Sequence, residues 1–392
     1  VVPFFPVPGA LVAAFNQPPA AMTQGAQCRE CVEIPEGTPY TTSAADGSFS
    51  LDIPVGKKVW LTVQKGEFRR VRELTAEANI GTYQLDPDLS SLPHINDDAK
   101  GDHVPKMALV YGDYDHIEDV LAKTGFAKED TAYGVDWASG QITFDVYNNA
   151  GPSEPQHGLP LTDLIQNPAK LAEYDIILFS CSYNANFAFM QDTGVQQNLK
   201  NFVWGGGKLY VSDYAMPVVE MTWPSFVWFT DPLHGGCAEN QFPPNCNHGP
   251  PFDAPATTPD GPLGQWLEAQ GLLATLETAE NWNTIGSLGT GEVGQEPNGQ
   301  PIVQAPKTWV EGPWAYDDAD LEGVGEDPDT WDLSPHPMTV SWPYNCGRVL
   351  YTTYHTVGTT LGGKHPGLMP QEMILFYLLM EITVCPEIPI VK

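Results

Sequence analysis

The sequence predicts a mixed α/β protein. A small all-β sandwich domain comes first, followed by a parallel, doubly wound sheet interrupted by a large loop-rich insertion. Three observations predict it. Residues 1–87 hold short strand-like runs and turns at near-regular spacing with no helical segment, the pattern of a small β-sandwich. From Lys106 onward, continuous apolar runs alternate with helical ones, an order that implies a parallel sheet with right-handed crossovers and helices on both faces. The third observation is Lys208 to Glu220, KLYVSDYAMPVVE, where an apolar strand follows a helix and a Gly205-Gly206-Gly207 stop and then breaks at Ser212-Asp213-Tyr214.

In the first domain, residues 7–15, 49–53, 59–63, 68–71 and 82–85 read as strands, with Asp46-Gly47-Ser48 and Pro54-Val55-Gly56 as turns. Residues 88–105, DLSSLPHINDDAKGDHVP, are polar with proline near both ends and read as a linker. Its His94, Asp97, Asp98, Asp102 and His103 suit either a solvated acidic segment or a cation. Residues 106–385 form the second domain. Its strands are expected at 107–111, 142–147, 175–181 and 208–212, and its helices at 117–123, within 161–174 and at 195–204. The run Asp175 to Cys181 is apolar enough to be buried on both faces. Residues 221–336, rich in Pro, Gly, Trp and Asp with one helix at 263–273, read as the insertion. Strands at 338–342 and 347–355 and a helix at 371–382 close the domain.

Composition narrows the function classes. The 392 residues carry 49 acidic and 18 basic side chains, a net charge of -31, which disfavours nucleic acid and anionic membranes and favours solubility, cation binding or a salty medium. An apolar share of 42% with 11 Trp, 15 Tyr and 16 Phe supports packed cores. The most apolar run, Met373 to Met380, is too short to span a bilayer and is flanked by Glu372 and Glu381. The opening VVPFFPVPGA reads as a strand and not as a leader, so either a leader has been removed or the sequence starts late in its protein.

The seven cysteines point the same way. Cys237 and Cys246 bracket a Pro- and Asn-rich loop that suits a local disulfide. Cys346 and Cys385 are placed to tie the C-terminus to the sheet, and Cys28 and Cys31 form a CxxC without the second CxxC of a zinc site. Disulfides imply an oxidising compartment, hence an extracellular or cell-surface protein. Cys181 is left as the odd thiol.

Two stretches carry family resemblances. GALVAAF, DGSFSLDIPVG and KKVWLTVQKGEFRR resemble the carboxypeptidase-regulatory-like (transthyretin-like) domain, which implies a non-catalytic spacer or surface module. YDIILFSC, LKNFVWGGGKLYVSDY and GRVLYTTYHT followed by a helix resemble the class I glutamine amidotransferase-like superfamily, nearest its ThuA-like branch. The resemblance covers 106–220 and 338–384 and implies a flavodoxin-like sheet. In catalytic members the turn after such a strand bears a cysteine on a strained backbone, a histidine from the late strand deprotonates it, and an acid two residues on orients the histidine. Here the turn offers Asp213 and His355 is in place, but Val357 stands where the acid would be. A carboxylate is a poor acyl-transfer nucleophile. Ser212 lacks the G-x-S-x-G setting of a serine elbow.

The C-terminal ends of the strands should gather Asp113, Asp115, His116, Cys181, Asp213 and His355 at one edge, where ligands bind in such sheets. Asp113, Asp115 and Asp213 would be the ligands of Ca2+ or another divalent cation. Asp113-Tyr114-Asp115 matches half a calcium loop, without the glycine and distal glutamate of an EF-hand. The alternatives are an inert polar cleft and a Cys181–His355 nucleophile pair. Trp223, Phe226, Trp228 and Phe229, with Trp309, Trp314 and Tyr316, either stack on sugar rings or form the core of the insertion. The expected function is an exported, non-enzymatic binding or structural protein with a degenerate amidotransferase-like domain, its partner a protein or a carbohydrate at the cell surface. One alternative is a divergent hydrolase of a carbohydrate or amide acting through Asp213 and His355, with or without a metal. Another is a subunit of an extracellular assembly or homo-oligomer.

Overall fold

The computed structural model describes residues 5–29, 34–77, 81–82, 84–152, 155–182, 184–229, 252–273, 276–281, 284–315, 331–356 and 366–384. The chain builds one antiparallel sheet and then a larger, mostly parallel one. The first sheet runs β1 Leu11–Phe15, β2 Tyr40–Thr42, β3 Lys58–Lys65, β4 Phe68–Thr75 and β5 Asp102–His103, in the spatial order β2-β1-β3-β4-β5. Alternation places Val12, Leu61 and Val63 together under Phe49, Leu51, Leu74 and Leu85. Among the described residues this is a single sheet and not a two-sheet sandwich. Residues 49–53 are irregular and serve as packing for it.

The 88–105 stretch also departs from expectation, because it supplies β5. Asp102 is buried and accepts from Arg70 Nε at 2.9 Å and Arg72 Nη2 at 2.8 Å. The acidic residue that reads as solvated in sequence therefore neutralises two arginines of β4.

The second sheet contains β6 Met107–Tyr111, β7 Asp145–Asn148, β8 Leu159–Pro160, β9 Ile176–Phe179 and β10 Lys208–Ser212. In the insertion, β11 Val227–Trp228 pairs with β14 Ser287–Leu288, β12 Phe252–Pro255 with β13 Glu277–Asn281, and β15 Gly291–Gln295 with β16 Pro301–Gln304. Then β17 Lys307–Ala315, β18 Trp331–Tyr344 and β19 Gly347–Thr352 return to the large sheet, whose order is β17-β18-β19-β10-β9-β6-β7-β8. All neighbours from β8 to β19 are parallel, and β18 and β17 are antiparallel. The insertion is thus more regular than its composition suggests. Its aromatic side chains are core: Trp223, Phe226, Phe229 and Trp309 are buried and Phe226 stacks on Trp342, whereas Trp228 is half exposed. Tyr316 and the Trp314 side chain lie outside the described residues.

Local chemistry explains the frame. Residues 176–179 and 107–110 are wholly buried, as central strands covered on both faces require. The helix Thr193–Trp204 starts where the Asp192 side chain accepts from Gly194 N, and buries Val195, Leu199, Phe202 and Val203 at helical spacing. It stops before Gly206, whose φ is +111° and where a Cβ would sit 2.1 Å from the Gln27 carbonyl oxygen. The expected helix at 161–174 is two short ones, Thr162–Ile165 and Pro168–Leu171, separated by the proline and its capping Asn167.

At the N-terminal ends of the parallel strands, charges tie the two sheets together. Arg29 contacts Glu67 at 3.0 Å and Asp175 at 2.7 Å, and Lys208 donates to Glu67. Beside them Cys28 and Cys346 form a disulfide with Cα atoms 5.0 Å apart. Cys346 therefore pairs with Cys28 and not with Cys385. Cys31, Cys237, Cys246 and Cys385 lie outside the described residues.

Candidate functional site

The opposite edge gathers the chemistry. Strands β9, β10 and β19 are consecutive neighbours in register, Phe179 opposite Val211 and Ser212 opposite Thr352. Each strand runs out just before a reactive side chain: Cys181 after β9, Asp213 after β10 and His355 after β19. Parallel strands about 4.8 Å apart that end at the same level deliver those three side chains to one point. His355 Nε2 lies 2.9 Å from Asp213 Oδ2 and 3.1 Å from Cys181 Sγ, and Sγ is 3.6 Å from Oδ2. All three are buried, at 0%, 0% and 2% exposure for Cys181, Asp213 and His355.

Asp213 sits on a strained strand-to-helix turn. Its φ is +42°, in the left-handed region, and the chain passes at once from strand β10 into a short helical turn and the helix Met216–Thr222. For a non-glycine residue this conformation costs about 1–2 kcal/mol. The Tyr351 hydroxyl donates to the Asp213 carbonyl at 3.2 Å and helps fix the turn. The aromatic ring of Tyr114 lies parallel to the imidazole of His355, with centroids 6.4 Å apart.

The other expected residues go elsewhere. Asp115 is fully buried and accepts from Ser212 Oγ at 2.5 Å, Thr356 N at 2.8 Å, His116 N at 3.1 Å and the Thr356 hydroxyl. Asp113 accepts from Gly151 N at 2.6 Å, Asn186 Nδ2 at 2.8 Å and the Ser182 hydroxyl. His116 Nδ1 contacts Glu118 Oε1 at 3.0 Å. Burial works against the imidazolium there, but Glu118, Asp119 and Asp115 outweigh it and raise the His116 pKa to about 9. Two trios of potential metal donors converge among the described residues, Cys181–Asp213–His355 and His116–Glu118–Asp119. Asp113 and Asp115 join neither, so the three aspartates do not meet as one cation site.

The environment sets what the thiol can do. Burial pushes the Cys181 thiol up to about 12, a shift that nearby His355 opposes and Asp213 and Asp115 reinforce. A free thiol in this state is a poor nucleophile near neutral pH. Sequence reasoning passed over Ser182, Asn186 and Thr356, which orient the carboxylates. Ser182 and Thr356 do directly follow Cys181 and His355, and that adjacency was the available signal. Gly112 closes the gap between β6 and β9, since a Cβ there would sit 2.2 Å from the Cys181 carbonyl.

The fold and edge define a mixed α/β chain with a large, mostly parallel sheet and a separate antiparallel one. No protein-family model matches the chain, and no curated protein matches it. Solved structures similar to it include a putative ThuA-like protein from Bacteroides uniformis ATCC 8492, at 12% identity and a TM-score of 0.31, covering 69% of this chain and 88% of that one. A cytoplasmic protein from Salmonella typhimurium LT2 is similar at 11% identity and a TM-score of 0.31, covering 71% of this chain and 97% of that one. A cold-adapted β-galactosidase from Rahnella sp. R3 follows at 13% identity and a TM-score of 0.30, covering 74% of this chain. This chain spans about a third of that enzyme's length, 34%. Likenesses of this strength assign no activity.

Proposed function

We propose that the protein is an exported, non-enzymatic binding protein whose ThuA-like, amidotransferase-like domain retains the frame of a catalytic elbow without acyl-transfer chemistry. One observation carries this: the residue at the strained elbow is Asp213, wholly buried and hydrogen-bonded to His355. A carboxylate there cannot form the thioester that the frame serves in catalytic relatives. Cys181, the free thiol among the described residues, is buried, and burial holds it in its neutral form. The disulfide between Cys28 and Cys346 supports an oxidising compartment, and no helix among the described residues is long and apolar enough to cross a membrane.

Incubating the full chain with L-glutamine, p-nitrophenyl acetate and chromogenic glycosides tests the reading. No product above buffer is expected, and native Cys181 should resist iodoacetamide until the protein is unfolded. The 2.9 Å contact between His355 and Asp213 favours a second reading, a divergent hydrolase using that pair. Turnover abolished by both Asp213→Asn and His355→Gln would establish it and overturn the first.

A further inference from the structure

We propose that Cys181, Asp213 and His355 form a binding site for a single zinc-class divalent metal ion, held by the Cys181 sulfur, a carboxylate oxygen of Asp213 and Nε2 of His355. The donors sit one to three residues beyond the ends of three neighbouring strands of the parallel sheet, whose adjacency brings them together. Their mutual distances are 3.1, 2.9 and 3.6 Å. Tetrahedral zinc with bonds of about 2.0–2.3 Å places its ligand atoms roughly 3.3–3.6 Å from one another. The trio needs to open by only a few tenths of an ångström to admit the ion.

One ring nitrogen, Nε2, faces both the carboxylate and the sulfur, and the thiol is placed to donate to Asp213 Oδ2 at 3.6 Å. A single cation at the centre would take the place of the proton contacts that otherwise join these groups, drawing one lone pair from each donor atom. The donor set of one sulfur, one nitrogen and one oxygen suits zinc or cobalt better than calcium or magnesium, which prefer all-oxygen shells. Metal binding would displace the thiol proton to solvent. Asp115 beside the trio adds negative charge, and the Tyr351 hydroxyl on the Asp213 carbonyl steadies the carboxylate's backbone.

The test uses the full chain, stripped with chelator and titrated with Co2+ alone. One Co2+ per chain should bind with a thiolate-to-cobalt charge-transfer band in the near ultraviolet, and Zn2+ should displace it. Cys181→Ser should abolish the band, while His116→Gln should leave it unchanged. Should Cys181→Ser fail to fold, His355→Gln retains the thiol and should weaken Co2+ binding by more than the roughly 10–100-fold that loss of an outer hydrogen-bonding partner costs. The proposal is overturned if the stripped protein takes up no Co2+, if the bound Co2+ shows no charge transfer, or if the band survives in folded Cys181→Ser. The spectrum reports the ion whether or not the chain turns over any substrate.

Discussion

The two ends of the parallel sheet are both buried and polar, yet they are built on opposite electrostatic plans. At the N-terminal end Arg29 and Lys208 face Glu67 and Asp175, two cations against two carboxylates. At the C-terminal end, every donor described at Asp115 is a hydroxyl or a backbone amide, and Asp213 meets an imidazole and a thiol. The first end is compensated by formal charge and clamps one sheet to the other. The second, in the contacts described, holds Asp115 by hydroxyl and amide dipoles and joins Asp213 to the imidazole of His355. The difference teaches that in this fold a buried ionic cluster is no sign of a site. What marks a candidate site is a set of unlike donor side chains converging at the edge where strand ends meet.

The largest expected effect tests the clamp. Lys208→Met should lower the unfolding free energy by about 3–5 kcal/mol, the usual result of breaking a buried pair from one side. Burial already pushes the Glu67 carboxyl upward against the pull of Lys208 and Arg29, so Glu67 will take up a proton and keep the loss toward the lower figure. Combining Lys208→Met with Glu67→Gln should recover part of it in a double-mutant cycle by urea denaturation. A loss below about 1 kcal/mol would show that packing, and not charge, joins the sheets.

A smaller effect is expected at the other end. Asp115→Asn keeps the volume and the Oδ1 acceptor and lets the new amide donate to Ser212, so about 1–2 kcal/mol should be lost. A loss as large as that of Lys208→Met would erase the contrast between the ends.

The smallest effect is a pH dependence on the clamp side. Burial is the main reason the His103 pKa is lowered to about 4, and Arg29 and Arg69 add to it against Asp175 and Asp98. The unfolded chain binds the proton more readily, so His103 contributes stability above pH of about 6.5 that is lost as pH falls toward 4. Thermal melts across that window should show the decline, and His103→Gln should make it shallower. An unchanged slope would place the acid sensitivity in other groups.

Much of this frame was legible from sequence, for a physical reason. The strands 107–111 and 208–212 and the helix 117–123 match expectation residue for residue. Their apolar runs are bounded by Gly112, by Gly205 to Gly207 and by Gly125, so local chemistry alone fixes them. The strand Lys307–Ala315 was missed because its partner Trp331–Tyr344 holds it through three register shifts that leave no clean alternation. Residues 49–53 alternate like a strand, yet they find no partner strand and pack as coil. At the edge, the sequence nominated all three members of the trio, but it weighted aspartates over the thiol. Cys181 gains its meaning from Asp213 and His355, 32 and 174 residues away, and only the adjacency of β9, β10 and β19 reveals it.

The bridge between Cys28 and Cys346 spans 318 residues of chain, and it imposes a calendar on the protein's birth. During synthesis, the N-terminal sheet emerges long before its partner cysteine exists. Residue 28 must wait, reduced or in a provisional pairing, until 318 further residues have followed it. Arg29, its neighbour, is the cation that reaches both Glu67 and Asp175. The bond can close only when the turn before β19 has been made, so its formation records that both cysteines exist and have been brought together. A polypeptide cut short before that turn would carry Cys28 without the partner that it has here.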